Sequence, residues 1–246
     1  MDGAVLALFL ASVFVGGVVS GLAGFAMGLV VSGIWLHILT PLQTAALIVG
    51  YGILLQSYTI WKLRHAISWR RIAPFIAGGL FGVPAGTALL AYVDPDYLRI
   101  GVGILLICYG SYGLARPTLK PMHAGVAADV GIGVLNGLLG GMTGLSGPII
   151  TIWCQIRGWR KDEQRAIFQP VILAAFVLTA ISLSVAGAVT TDLIRLFVYG
   201  LPMLALGAWC GLRLYGHLDD AAFRKVILIL LLLSGLVLIV PFSIFR

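Results

Sequence analysis

Small hydroxyl and amide side chains in a duplicated glycine-rich phrase are the residues of this chain best suited to bind a ligand. The phrase at residues 17–29, GVVSGLAGFAMGL, returns at residues 133–145 as GVLNGLLGGMTGL, with seven identities at an offset of 116. Hydroxyl and amide groups donate hydrogen bonds without carrying charge, and glycine lets a ligand or a neighbouring backbone approach closely. We therefore predict a binding site at the two phrases and at two glutamines in apolar surroundings. The candidate residues are Ser20, Gly21, Gly24, Gly28, Gln56, Asn136, Gly137, Gly140, Thr143, Gly144, Ser146 and Gln169.

An anion is the ligand that this set of groups suits best. No Lys or Arg lies in the middle of an apolar stretch, so we expect the anion to meet no full buried counter-charge. N–H groups at a helix N-terminus would hold it instead, together with the neutral donors. Gly147-Pro148 follows the second phrase and suits such an N-terminus, because proline is favoured at the first helical position. Helix packing explains each polar residue equally well, and the residues alone leave both roles open.

The two phrases each interrupt an apolar stretch of more than thirty residues, at 4–38 and 125–156. One helix crosses a membrane with about 20 residues, so we predict a broken helical hairpin in each stretch. Each half then continues with three transmembrane helices. The sequence thus predicts an all-α polytopic membrane protein with one integral domain, 1–246, and internal repeats 1–116 and 117–246. The remaining apolar spans are 42–61, 72–93, 98–114, 166–188, 193–212 and 223–244.

Composition agrees with membrane insertion and argues against several functional classes. Hydrophobic residues make up 60% of the chain and charged residues 10%, and the mean hydropathy is +1.06, whereas soluble domains carry about 25% charged residues. We expect the net charge of +7 to contact lipid headgroups rather than nucleic acid. Neither HExxH nor GxSxG occurs, and the Cys and His residues form no ligand pattern. We therefore expect no enzyme activity, metal or cofactor.

Basic residues indicate how the two halves are oriented. Thirteen of the sixteen Lys and Arg residues fall in four clusters, at 62–71, 116–120, 157–165 and 213–225. Cytoplasmic loops are enriched in Lys and Arg, and all four clusters reach that side only if both interrupted stretches enter and return as hairpins. The halves then have inverted topology, which is typical of alternating-access transporters.

Three further patterns predict local structure. The GxxxG pairs at 82–86 and 207–211 predict tight helix packing. Asp129 lies near the start of its apolar stretch, where an interfacial cap and a proton-coupling carboxylate are the two interpretations. Asp192 is expected to be the N-cap of the span that follows it.

The chain resembles the sulfite exporter TauE/SafE family of bacterial inner-membrane permeases over nearly its whole length. The resemblance implies two homologous halves and transport of sulfite, sulfoacetate or other small organosulfonates. The family usually has a run of glycines at the first break, where this chain has Phe25-Ala26-Met27, and this departure favours an organic anion over sulfite. The motifs that carry the resemblance are the duplicated phrase, Pro41-Leu-Gln-Thr-Ala45, Ser68-Trp69-Arg70, Gly82-xxx-Gly86 and Leu98-Arg99.

We therefore predict a multi-pass secondary transporter of small organic or sulfur-containing anions, embedded in the lipid bilayer of the bacterial inner membrane. Alternating access would expose an anion held near the midplane. A passive anion channel of the same architecture and a membrane enzyme or complex subunit are the alternatives. The sequence leaves open the coupling ion, the direction of transport and whether the protein forms a homo-oligomer.

Overall fold

The computed structural model describes residues 3–89, 95–115, 121–143, 146–185 and 190–239. Every regular element in these ranges is helical, with ten α-helices and a short 3-10 helix at Arg64–Ala66. The all-α prediction is confirmed for these ranges. In chain order the α-helices are α1 Gly3–Ala23, α2 Met27–Ile38, α3 Pro41–Leu63, α4 Trp69–Leu89, α5 Pro95–Ala115, α6 Val126–Thr143, α7 Pro148–Ile156, α8 Lys161–Val185, α9 Thr191–His217 and α10 Asp220–Ile239.

The helices follow the predicted apolar spans. Both long stretches are broken, the first into α1 and α2 and the second into α6 and α7. Four segments are long and apolar enough to cross a membrane, and shorter apolar segments occur in α5 and α6. These segments indicate a multi-pass membrane protein. The four candidate spans are Gly3–Ala23, Leu42–Leu63, Lys161–Ile181 and Thr191–His217.

Local side-chain chemistry explains where α3 and α9 begin. Thr40 and Gln43 form a capping box at the start of α3, in which each side chain accepts a hydrogen bond from the other residue's backbone N–H. The N-cap of α9 is Thr190, whose hydroxyl accepts from the N–H of Leu193 at 3.2 Å. The expectation that Asp192 is this cap was wrong by two residues. Asp192 lies in the first turn of α9, where its negative charge interacts favourably with the positive end of the helix dipole.

The chain forms two compact units, and each takes helices from both halves of the sequence. Unit 1 contains Met1–Ile67 and Gln169–Leu218, and unit 2 contains Ser68–Phe168 and Asp219–Arg246. Helix α8 contributes its first residues to unit 2 and the rest to unit 1. The boundaries of the units therefore differ from those of the predicted repeats, 1–116 and 117–246.

Unit 1 is held together by close contact between α1 and α9. A Cβ added at Gly21 would lie 2.6 Å from the carbonyl oxygen of Ala208, and one at Gly207 or Gly211 would overlap the backbone of α1. Real Cβ atoms do not approach that closely, so only glycine permits this separation of the helix axes. The predicted packing role of the 207–211 pair is confirmed.

Unit 2 repeats this arrangement with α4 and α6. A Cβ at Gly82 would overlap the carbonyl oxygen of Val134, and one at Gly86 would overlap that of Leu138. Small residues let two backbones approach and gain van der Waals contact, which stabilises helix pairs in a membrane. The 82–86 pair therefore also serves packing, as predicted.

Candidate functional site

The first break lies in unit 1, between the end of α1 at Ala23 and the start of α2 at Met27. Gly24 has a φ of 92°, a conformation that L side chains rarely adopt, and its N–H donates to the carbonyl oxygen of Ser20 at 2.7 Å. The Gln56 side chain on α3 donates from Nε2 to the carbonyl oxygen of Gly24 at 2.7 Å. A buried side-chain amide thus satisfies the backbone at the point where α1 ends.

The start of α2 is buried and has no side-chain cap. Ala26 is its N-cap residue and makes no side-chain hydrogen bond. The first backbone hydrogen bond of α2 runs from the N–H of Val30 to the oxygen of Ala26, at 3.2 Å, so the N–H groups of the preceding residues lie at the open end of the helix. Phe25, Ala26 and Met27 are buried, and so is Gly28 in the first turn. A buried and uncapped helix N-terminus requires another partner, and an anion is a suitable one.

The second break lies in unit 2, between α6 and α7, and its N-terminus is capped from within the protein. The Oδ1 atom of Asn136 accepts hydrogen bonds from the N–H of Gly147 at 3.2 Å and from that of Ile150 at 3.4 Å. Gly147 has a φ of 129°, and Pro148 occupies the first helical position of α7 as predicted. Asn136 therefore occupies part of the donor set that we expected an anion to use.

Ser146 and Gly140 lie together at this second break. Ser146 is buried, and a Cβ added at Gly140 would overlap its Oγ atom. Glycine at 140 thus makes room for the serine hydroxyl beside α6. Thr143 ends α6, but its side chain and all of Gly144 lie outside the described residues.

Each broken stretch folds back on itself and is fastened by an indole. In unit 1 the Nε1 atom of Trp35 donates to Ser12 Oγ at 2.7 Å. In unit 2 the Nε1 atom of Trp153 donates to Asp129 Oδ1 at 2.8 Å. Both bonds join the second helix of a hairpin to the first, and they explain why α2 and α7 run back along α1 and α6.

The Asp129 carboxylate also lies close to a basic side chain. Its Oδ1 atom is 4.0 Å from Arg157 NH1, and Arg157 donates to the carbonyl oxygen of Ala124 at 2.6 Å. The same guanidinium lies over the rings of Trp153 and Trp159. Asp129 therefore helps to close the second hairpin, and its interfacial-cap and proton-coupling interpretations both stay predictions.

The other predicted residues are of two kinds, buried polar side chains and glycines in helix contacts. Ser20, near the end of α1, and Gln169, on α8, are buried. Gly21 faces α9, and a Cβ at Gly137 would lie 3.0 Å from the backbone nitrogen of Val83 on α4. These two glycines make helix contacts, and their role beside a ligand stays a prediction.

Arg165 is the residue that the sequence analysis missed. It was assigned to a cytoplasmic basic cluster, yet its side chain on α8 is 0% exposed. The chain therefore contains a buried positive charge that the sequence analysis did not expect, and what the anion meets stays a prediction. The available signal was the helical period, because Arg165 lies four residues before Gln169 and shares its face of the helix. Residues 164–172 are all buried, so α8 becomes buried directly after its first turn.

Comparison with known proteins identifies similar sequences. A family model described as "Sulfite exporter TauE/SafE" matches residues 8–238 of this chain. The chain is similar to the "Probable sulfite/organosulfonate exporter TauE" of Cupriavidus necator, with 25% identity over 224 residues, which cover 89% of this chain and 87% of that protein. No solved structure matches the chain.

Proposed function

This chain belongs to the sulfite exporter TauE/SafE family, and from that membership we propose that it is a secondary transporter of small organic or sulfur-containing anions. The family is one of membrane transporters, which is not an enzyme class. The name of the Cupriavidus necator relative includes sulfite and organosulfonates, and we extend that substrate class to this chain. The bacterial inner membrane is the proposed location.

The buried, uncapped N-terminus of α2 carries this proposal. N–H groups at a helix N-terminus point outward and carry the positive end of the helix dipole. The oxygens of a sulfonate, sulfite or carboxylate group accept hydrogen bonds from such groups. Gln56 helps to position these N–H groups, because its hydrogen bond to the Gly24 carbonyl oxygen fixes the backbone just before α2.

The other predicted binding residues are divided between the two breaks. At the first break, Ser20 and Gly28 are close in sequence to the start of α2. At the second, the Oδ1 atom of Asn136 accepts hydrogen bonds from the N–H groups at the start of α7. We propose that its Nδ2 group donates to the anion. Thr143 and Ser146 are proposed to add hydroxyl donors.

The apolar side chains of the first break favour an organic substrate. Phe25 and Met27 are buried beside the proposed donors, so a ligand with a short carbon chain would gain apolar contact that sulfite lacks. We therefore propose a small organosulfonate such as sulfoacetate, or a related carboxylate, as the preferred anion, with sulfite as a second substrate.

Flux measurements in proteoliposomes test the proposal. We expect saturable uptake of labelled sulfoacetate, competition by sulfite, no competition by a neutral sulfone, and faster uptake when unlabelled sulfoacetate is present on the opposite side. Uptake that neither saturates nor responds to the opposite side would indicate a passive channel. Equal competition by the neutral sulfone would reject anion recognition.

We also propose that the two halves have inverted topology. The positions of the basic clusters support this arrangement, and it requires residues 62 and 160 to lie on the same side of the membrane. Both side chains are exposed. Single cysteines at Lys62 and Arg160, in a background without Cys108, Cys154 and Cys210, should react with an impermeant reagent from one face. Labelling from opposite faces would reject the inverted arrangement.

A further inference from the structure

A cavity lies at one end of the helix pair formed by α5 and α10 in unit 2. The last turn of α5 and the first turns of α10 line it. Its volume is about 450 Å³, within the range of about 300–1,000 Å³ that small-ligand sites occupy. We call it the α5–α10 cavity, and it is large enough for a compact polar group.

Close packing of the two helices fixes the walls of this cavity. A Cβ added at Gly235 would lie 2.7 Å from the carbonyl oxygen of Gly103, and one at Gly110 would lie 3.0 Å from that of Leu228. Beside the cavity, the NH2 group of Arg224 donates to the carbonyl oxygen of Gly113 at 3.4 Å. This bond joins the first turns of α10 to the last turn of α5, so the two walls keep their positions.

The charges that line the cavity favour an anion. Arg224 and Lys225 supply two positive charges and Asp219 one negative charge. The Asp219 carboxylate accepts from the N–H of Ala222 at 2.6 Å and thereby caps α10, so the helix N-terminus is already satisfied. The Lys225 side chain is exposed and suits direct contact with an anion. Arg224 adds attraction through its charge, which acts without a further hydrogen bond.

An exposed apolar stripe continues from the cavity along α10. Ile229, Leu233 and Leu236 are each at least 39% exposed, and their spacing places them on the face of the helix that begins at Lys225. From residue 225 to residue 236 an α-helix rises about 17 Å. One leaflet of a bilayer has a hydrocarbon thickness of about 15 Å. A charged group at one end of an apolar stripe of this length matches a lipid, and a free anion would leave the stripe unused.

We propose that the α5–α10 cavity binds the phosphate headgroup of an anionic phospholipid, whose acyl chain lies along the stripe. Basic pockets between membrane helices bind headgroups of this kind. Lys225 contacts the phosphate, Arg224 adds to the positive potential, and Leu114 and Leu228 form the apolar part of the wall. The lipid is a bound partner of the protein and is distinct from the transported anion.

Three probes separate a lipid from a free phosphate. We expect native mass spectrometry of the purified protein to show one tightly bound phosphatidylglycerol for each chain. Phosphatidylcholine has the same phosphate but no net charge, so it should bind more weakly. Glycerol 3-phosphate carries the headgroup chemistry without acyl chains, and it should not displace the lipid. Displacement by glycerol 3-phosphate would show a site for a free phosphate and would overturn the lipid assignment.

Lys225→Gln tests the charge of the site. Phosphatidylglycerol affinity should fall about fivefold, as expected for one basic residue near an anionic lipid. Lys62→Gln is the matched control, because Lys62 is an exposed lysine at the end of α3 and lies outside this cavity. Its affinity for phosphatidylglycerol should equal that of wild type. Equal losses in the two variants would show general attraction to the surface and would reject the site.

Ala221→Phe tests the cavity itself while keeping every charge. Ala221 lines the cavity and is exposed, so the larger side chain should enter the space with no change in the midpoint of thermal unfolding. Phosphatidylglycerol affinity should fall. Unchanged affinity in both Ala221→Phe and Lys225→Gln would overturn the proposal. The readout is lipid binding, so its failure leaves the proposed transport function standing, and failure of transport leaves the lipid site standing.

Discussion

The two helix breaks share a plan but differ in how their helix N-termini are completed. In both, a glycine with positive φ lies between the two helices, and a buried amide side chain forms a hydrogen bond with a backbone group of that glycine. In the first break, Gln56 donates to the carbonyl oxygen of Gly24, just after the end of α1, and the N-terminus of α2 has no side-chain cap. In the second, Asn136 accepts from the N-terminus of α7 and caps it. The difference teaches that a duplicated phrase does not imply two equivalent helix N-termini: that of α2 has no side-chain cap, whereas that of α7 is capped by Asn136.

The indole bonds of the two hairpins show a second difference, in charge. Trp35 and its acceptor Ser12 are almost wholly buried, and a neutral hydroxyl suits that position because an unpaired charge there would be costly. Trp153 bonds instead to Asp129, which has Arg157 beside it. The helical hairpin is therefore held by a neutral hydrogen bond in unit 1 and by a charged network in unit 2.

Replacing Gly24 with leucine should have the largest effect. A side chain at a positive φ costs about 1–3 kcal/mol, and leucine would also fill space beside the proposed donors. We expect transport of sulfoacetate to be lost, with protein still present in the membrane.

Gly131→Leu on α6 is the control for the Gly24 variant, since a Cβ at that position contacts nothing within 4 Å. It should transport normally. Gly24→Ala separates strain from bulk, because it adds the unfavourable conformation with little volume. If Gly24→Leu transports at the wild-type rate, the first break is not the binding site.

Removing the two indole N–H groups should distinguish the neutral hairpin from the charged one. Trp153→Phe deletes a hydrogen bond to a carboxylate, which is worth about 1.5–3 kcal/mol, while Trp35→Phe deletes a neutral one worth about 0.5–1.5 kcal/mol. Both remove a similar ring, so each serves as the control for the other. Thermal unfolding should show the larger loss for Trp153→Phe, and a larger loss for Trp35→Phe would contradict the assigned roles.

Asn136 variants should show a smaller effect that separates capping from ligand binding. Asn136→Leu removes the cap of α7 and should lower stability by about 0.5–2 kcal/mol. Asn136→Asp keeps an acceptor for the two N–H groups, so stability should recover. Its negative charge should nevertheless weaken sulfoacetate binding, since like charges repel. Recovery of both properties would remove Asn136 from the anion site.

Much of this fold could be predicted from the sequence, because its signals are local. The length of the two apolar stretches and their glycines predicted both breaks, and the GxxxG spacing predicted tight packing at α4 and α9, though not that α6 and α1 are the partner helices. Membership of the TauE/SafE family was likewise predicted and is confirmed. The burial of Arg165 was missed: the helical period places it on the face of Gln169, but how deeply that face is buried depends on which elements surround the first turns of α8. The capping role of Asn136 was missed for the same reason: the sequence gives an amide at the phrase but does not say which backbone groups it meets.

A density map of the protein with bound sulfoacetate tests the central claim most directly. We predict density for the acid group within hydrogen-bonding distance of the N–H groups at the start of α2, between Met27 and Leu29. Weaker density at the start of α7 is expected, because Asn136 already occupies donors there. An empty α2 N-terminus in a map that shows the anion bound elsewhere would contradict the claim.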